Sequence, residues 1–272
     1  MSDYIILGMI QGIVDWLPIS SEGTLVLAQS LFLNQSLELT EMIQVALFLH
    51  LGSLLAVIVY FWKDIWKLCK VFFNYKNTTK KDKAFLNFLI ISSLVTAVLG
   101  YSVFKLLELV QKEHVNFTGQ IIMLMIGFLL LATSFIQRKA EQKKDQALKD
   151  LEDLTIKDAL IAGTVQSFAV LPGLSRSGST VSTLLLLKIK DTVALKASFF
   201  MALPVILGGN ILLNYKFFTG GIEKFVGLIV AFIFGIITVH FLFKIAEKLS
   251  FVKFTLFFGS VIVLLSIFSM FI

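Results

Sequence analysis

Two short polar stretches interrupt apolar runs in this chain and hold the side-chain types that do chemistry. The first reads Gln11-Gly12-Ile13-Val14-Asp15 and continues through Leu17-Pro18-Ile19 into Ser20-Ser21-Glu22-Gly23-Thr24. The second reads Pro172-Gly173-Leu174-Ser175-Arg176-Ser177-Gly178-Ser179-Thr180. Arg176 offers a planar fork matched to phosphate oxygens. Ser175, Ser177 and Thr180 add hydroxyl donors, and Gly173 and Gly178 let the backbone approach a ligand closely. In the first stretch Gln11 and Asp15 are four residues apart and share a helix face. Asp15 and Glu22 are hard oxygen ligands suited to a divalent cation, Mg²⁺ or Ca²⁺. Such a cation, with Arg176, would neutralise a phosphate-rich group and stabilise charge on a transferring phosphoryl. The simpler alternative is that the acids and Arg176 neutralise each other as an ion pair.

The elements that must position these residues are membrane helices. Hydrophobic residues make up 57% of 272 and charged residues only 15%, against roughly 25% charged in an ordinary globular domain. Crossing a bilayer takes about 20 mostly apolar residues. Six stretches meet that length: 43–62, 84–107, 118–137, 192–214, 225–245 and 253–272. Segments 4–33 and 158–189 are apolar too, but Pro, Gly and Ser break each into halves too short to cross, the pattern of a re-entrant hairpin. The acids Asp3, Asp15 and Glu22 and the lack of a basic start set segment 4–33 apart from a cleavable signal. The single Cys69 rules out an intramolecular disulfide.

Counting the two hairpins as non-crossing puts loops 63–83 and 138–157, Lys188, Lys190 and the 244–253 turn on one face, with most of the 24 Lys and Arg. By the positive-inside rule that face is cytoplasmic and both termini lie outside. The net charge of +6 is this topological bias, not a nucleic-acid surface. Segment 138–157 reads as a charged cytoplasmic linker, a solvated helix or a flexible connection. The two broken segments also match each other: Gly8 and Gln11 answer to Gly163 and Gln166, and Leu17-Pro18 to Leu171-Pro172. Each is followed by three spans, so the second half (158–272) is inverted relative to the first (1–137). Paired interrupted segments in inverted halves place a binding site near the midplane. Helix N-termini at such tips present N–H donors to an anion, and an arginine buried there, at a cost of about 2.5–3.5 kcal/mol, calls for an anionic partner. The expected fold is an all-α integral membrane protein with six transmembrane helices and two re-entrant helical hairpins in an inverted repeat.

At these residues the chain resembles the BacA/UppP family of undecaprenyl pyrophosphate phosphatases. Residues 172–180 satisfy every fixed position of that family's Pro-Gly-X-Ser-Arg-Ser-X-X-Thr motif. Gln11 and Asp15 stand in its Glu/Gln-X-X-X-Glu motif, with aspartate for the second glutamate, and Leu17 to Ser21 and Leu51-Gly52-Ser53 follow its pattern. The resemblance implies removal of the terminal phosphate of a polyprenyl diphosphate, giving the monophosphate carrier lipid of cell-envelope glycan synthesis, at the outer face of the plasma membrane. It implies Ser21 as nucleophile, with water as the alternative. Asp15, Glu22 and Arg176 join Ser21 as catalytic residues, Asp15 and Glu22 doubling as metal ligands. Gln11, Ser20, Thr24, Gly173, Ser175, Ser177, Thr180 and His50 are the residues expected to bind substrate. One departure matters: bacterial members of the family usually carry histidine where this chain has Thr24. Glu22 and His50 are the substitutes in view, although a lone histidine in an apolar span is more often a hydrogen-bonding group between helices. A polyprenyl-phosphate flippase using the same architecture without hydrolysis is the rival function. A homodimer is left open.

Overall fold

Each interrupted segment folds as two short helices around a break. In the computed structural model, which describes residues 2–17, 20–32, 39–112, 119–141, 149–171, 174–214, 221–245, 252, 256–257, 259–261, 263–264 and 267, the first pair is α1 (Ser2–Val14) and α2 (Ser21–Phe32). After it come α3 (Leu39–Tyr60), α4 (Trp62–Phe73), α5 (Lys80–Lys112) and α6 (Gly119–Glu141). The second pair is α7 (Ile156–Ser167) and α8 (Arg176–Leu186), followed by α9 (Asp191–Leu213) and α10 (Ile222–Ile245). The described residues are helical throughout, apart from turns and one isolated bridge between Lys149 and Ile189. Among them, three helices are long and apolar enough to cross a bilayer: Lys80–Leu106, Asp191–Leu212 and Ile222–Lys244. The bent pair Gln44–Tyr60 with Trp62–Phe73 makes a fourth if it counts as one span. The expected span 118–137 lies in α6 from Gly119 onward, and the expected span 253–272 lies mostly outside the described residues.

Small residues decide how the short helices dock. A Cβ on Gly12 of α1 would come within 2.6 Å of the Ala231 carbonyl oxygen on α10, and one on Gly8 would overlap the Gly227 carbonyl. Glycine at both positions therefore lets α1 and α10 touch backbone to backbone, the device by which membrane helices pack without a hydrophobic driving force. Gly163 of α7 does the same against α5, where a Cβ would lie 2.5 Å from the Ser92 carbonyl oxygen. Thr96 Oγ1 then donates to the Gly163 carbonyl at 3.0 Å. So α1 lies on α10 and α7 on α5: the short helix of each half packs on a long helix of the other.

The basic segment 63–83 is more ordered than a loop. The chain bends by 81° after α3, and α4 follows with three distinct arcs. Val71 is buried inward, Lys63, Lys67 and Lys70 form a basic stripe, and Trp62, Trp66 and Phe73 are exposed between them. An apolar arc beside a lysine stripe is the pattern of a helix lying in the membrane interface. Lys196 of α9 reaches across to Asp64 of α4 at 2.6 Å, tying this helix to the span behind it. The linker 138–157 is also docked over its described second part. Lys149 pairs with Asp158 at 2.9 Å and Asp150 with Lys190 at 2.8 Å. The Lys190 ammonium and the Leu151 amide hold the Asp150 carboxyl down at about 2, so that link persists well below neutral pH.

The main core lies beneath the hairpin tips. Trp16, Phe61, Phe85, Phe88, Phe199 and Phe200 pack there, with the Trp16 and Phe199 rings 4.5 Å apart.

Candidate active site

The two tips start helices by the same device. Ser20 Oγ accepts from the Gly23 amide at 3.1 Å, and Ser175 Oγ accepts from the Gly178 amide at 3.0 Å. Each serine is an N-cap, which satisfies one of the N–H groups that a helix start leaves outside its ladder. The turn after α1 then meets the start of α8, where Ser177 Oγ donates to the Leu17 carbonyl at 2.6 Å, and the first residues of α2 and α8, Ser21 and Arg176, both turn toward Asp15.

Asp15 is the centre of this junction and is almost wholly buried, at 3% exposure. Its Oδ1 accepts from Arg176 Nη2 at 2.8 Å and from Ser21 Oγ at 3.5 Å, and lies 3.2 Å from His50 Nε2. Its Oδ2 accepts from Ser53 Oγ. His50 Nε2 is also 3.4 Å from Ser21 Oγ, and His50 Nδ1 is 2.6 Å from the Ala46 carbonyl. The guanidinium carbon of Arg176 sits 5.1 Å from the centre of the Trp16 ring. A buried carboxylate is tolerable only with its charge paired and its oxygens hydrogen-bonded, and Asp15 meets both conditions. Asp15 and Arg176 do neutralise each other, as the ion-pair reading of the sequence expects.

Several expected binding residues have their hydroxyls committed inside the tips. Thr180 Oγ1 donates to the Arg176 carbonyl at 2.7 Å, Ser177 is held by Leu17, and Ser175 by Gly178. Thr24 Oγ1 donates to the Ser20 carbonyl at 2.8 Å. These groups shape the tips, and Arg176 and Ser21 are the side chains they aim. Gln11 is fully buried on the Asp15 face of α1, and neither its Oε1 nor its Nε2 has a partner among the described residues. A buried amide left unpaired costs free energy, so Gln11 is ready for a ligand with both donors and acceptors. Trp16 Nε1 is likewise buried without a partner among the described residues. Gly173, Pro18 and Pro172 lie outside the described residues, as does the side chain of Glu22.

Ser53 and Trp16 were not among the expected site residues. Ser53 falls three positions after His50 on α3, a spacing that puts both on one helix face. Trp16 is the neighbour of Asp15. Both signals are local ones, visible only once Asp15 is taken as the centre.

Among the described residues, which leave out the side chain of Glu22, the groups around Asp15 do not suit a resident divalent cation. The described neighbours of Asp15 are a guanidinium, an imidazole and two hydroxyls, with no second carboxylate among them. Mg²⁺ or Ca²⁺ needs several oxygen ligands facing it, and the described residues hold no group of three or more candidate metal ligands.

A family model described as bacitracin resistance protein BacA matches residues 4–264 of this chain. The undecaprenyl-diphosphatase of Methanococcoides burtonii is 35% identical over 268 residues, covering 97% of each chain. That of Methanococcus vannielii is 35% identical over 266 residues, covering 96% of this chain and 98% of its own. The undecaprenyl-diphosphatase of Halothermothrix orenii is 33% identical over 244 residues, 88% of this chain and 85% of its own.

Proposed function

The chain belongs to the BacA family, and from that premise we propose that it is an undecaprenyl-diphosphatase, hydrolysing a polyprenyl diphosphate to the monophosphate carrier lipid and inorganic phosphate. The observation that carries the reading is the junction of the two tips, where Arg176 and Ser21 both meet Asp15 in a buried setting. Arg176 holds the terminal phosphoryl oxygens with the part of its fork that Asp15 leaves open, and Gln11 supplies a further donor. Ser21 Oγ attacks the terminal phosphorus, with water as the alternative nucleophile. The names of the relatives favour hydrolysis over the flippase alternative, which predicts lipid movement without phosphate release.

The test is phosphate release from a C55 polyprenyl diphosphate by purified protein in detergent. Wild-type protein is expected to release phosphate, and Ser21→Ala to lose at least about 100-fold, as removal of a nucleophile does. Unchanged turnover in Ser21→Ala would assign the attack to water. No step here passes through a metal. An EDTA arm decides the Mg²⁺ or Ca²⁺ expectation: release that survives chelation removes it, and release that is lost restores Asp15 and Glu22 as cation ligands.

The proposed architecture is six spans and two re-entrant hairpins in inverted halves, in the plasma membrane, with both termini and the active site at the outer side. The matched N-caps Ser20 and Ser175, and the reciprocal docking of α1 on α10 and α7 on α5, support the repeat. The chain's single cysteine gives a test of orientation. Cys69 is exposed on α4, among the lysines of the basic face. A membrane-impermeant maleimide is expected to label it in inside-out vesicles and to miss it in intact cells. Labelling in intact cells would reverse the topology. A homodimer is carried as a proposal that light scattering of the detergent complex resolves.

A further inference from the structure

We propose that His50, from the third helix, is the catalytic base and acid for Ser21, in a chain that has Thr24 where bacterial members of the resembled family usually have histidine. This role rests on the phosphatase reading above. Its geometric ground is the set of partners around the two ring nitrogens. His50 Nδ1 lies 2.6 Å from the Ala46 carbonyl oxygen. A carbonyl only accepts, so Nδ1 carries the hydrogen and the lone pair of the neutral ring is on Nε2. That nitrogen lies 3.4 Å from Ser21 Oγ, within the looser range that catalytic hydrogen bonds show before substrate binds. Asp15 Oδ1 lies 3.5 Å from the same oxygen, so the single Ser21 hydrogen turns from the carboxylate to Nε2 by rotation about Cβ–Oγ. The ring is buried, and the Ala46 bond fixes its rotation about the helix that carries it.

Asp15 completes the arrangement without being the base. Its two oxygens already accept from Arg176 and Ser53, and a carboxylate is ordinarily a weaker base than an imidazole. Lying 3.2 Å from Nε2, it is placed to receive the new N–H once the ring has taken a proton. Thr24 is not available for this work, because its hydroxyl is spent on the Ser20 carbonyl.

As Ser21 Oγ bonds to the terminal phosphorus, its proton moves to His50 Nε2 and the bridging P–O bond breaks. The electron pair leaves on the oxygen of the prenyl monophosphate, which takes the proton from Nε2. Water then attacks the seryl phosphate and gives a proton to Nε2. The P–Oγ bond breaks, Ser21 Oγ recovers that proton, and inorganic phosphate departs.

Two variants test this in the full-length protein in detergent, with the C55 diphosphate as substrate. The amide of His50→Gln reaches toward Ser21 and that of His50→Asn toward Ala46, yet neither takes up a proton. Each is expected to lower kcat by at least about 100-fold with KM within about threefold, the range of general acid–base catalysis. A residue that acts through Ser21 also has a second signature: Ser21→Ala/His50→Gln should be no slower than Ser21→Ala alone. Activity within about threefold of wild type in either variant, or losses that multiply in the double variant, would overturn the proposal. Wild-type protein that releases no phosphate would instead overturn the phosphatase reading on which it stands.

Discussion

Arg176→Ala is expected to lower kcat/KM for phosphate release by about a thousand-fold, the scale on which an arginine that stabilises a transferring phosphoryl group acts. The side chain has two contacts and a position that converge on one function. It pairs with Asp15 at 2.8 Å, lies over the Trp16 ring, and starts α8 at a tip already fixed by Ser175 and Ser177. Paired with Asp15 and set against the Trp16 ring, the guanidinium is held in place, so its remaining N–H groups meet a phosphate with little further ordering. Arg176→Lys keeps the charge but neither the fork nor the planar group beside Trp16, and it is expected to recover folding while staying at least about tenfold below wild type. Truncation to alanine also strands the Asp15 carboxylate, and removing one partner of a buried pair costs about 3–5 kcal/mol. A thermal melt of the detergent complex should therefore fall in Arg176→Ala and rise again in Arg176→Ala/Asp15→Asn, while activity stays lost. Recovery of both together would mean that Arg176 acts only as a structural partner of Asp15.

Much of this site is legible in the sequence because membrane energetics limits what a buried charge can do. Arg176 in an apolar run demands an anion, and the broken segment of the other half carries two acids, Asp15 and Glu22. Pro18 and Pro172, with the serines after them, mark breaks in segments too short to cross, and the breaks are where α1 gives way to α2 and α7 to α8. The fate of the hydroxyls is not legible. A serine before a helix is as good an N-cap as a phosphate donor, and the choice depends on which amide lies nearest, as Gly178 does for Ser175. His50 is only half visible. Its type suggests chemistry, but its closeness to Ser21, 29 positions earlier, exists only because α3 packs beside α2. The helix α4 is hidden for a different reason. Lysines dominate segment 63–83, and they mask the helical spacing of Trp62, Trp66 and Phe73 that a bend of 81° turns into an exposed arc.

Asp15→Asn is expected to lower phosphate release by at least about 100-fold while leaving the protein folded, the loss expected when preorganised charge at a phosphoryl-transfer site is removed. The substitution keeps the size of the side chain and one oxygen able to accept from Ser53. What it removes is the charge that Arg176 and His50 share, and in its place it sets an amide N–H₂ that donates where two donors already stand. If that amide faces the partners of Oδ1, it meets the guanidinium of Arg176 donor against donor, and the guanidinium loses the bond that orients it. If it turns the other way, it faces Ser53, whose hydroxyl then has to reverse. Either rotamer leaves the imidazole of His50 without a carboxylate to stabilise its protonated form, so the loss should appear in kcat more than in KM. Measuring the two separately decides between roles. A fall in kcat with KM little changed fits a carboxylate that orients the reacting groups. A rise in KM alone would make Asp15 a substrate-binding group and would move the weight of catalysis onto Arg176 and His50.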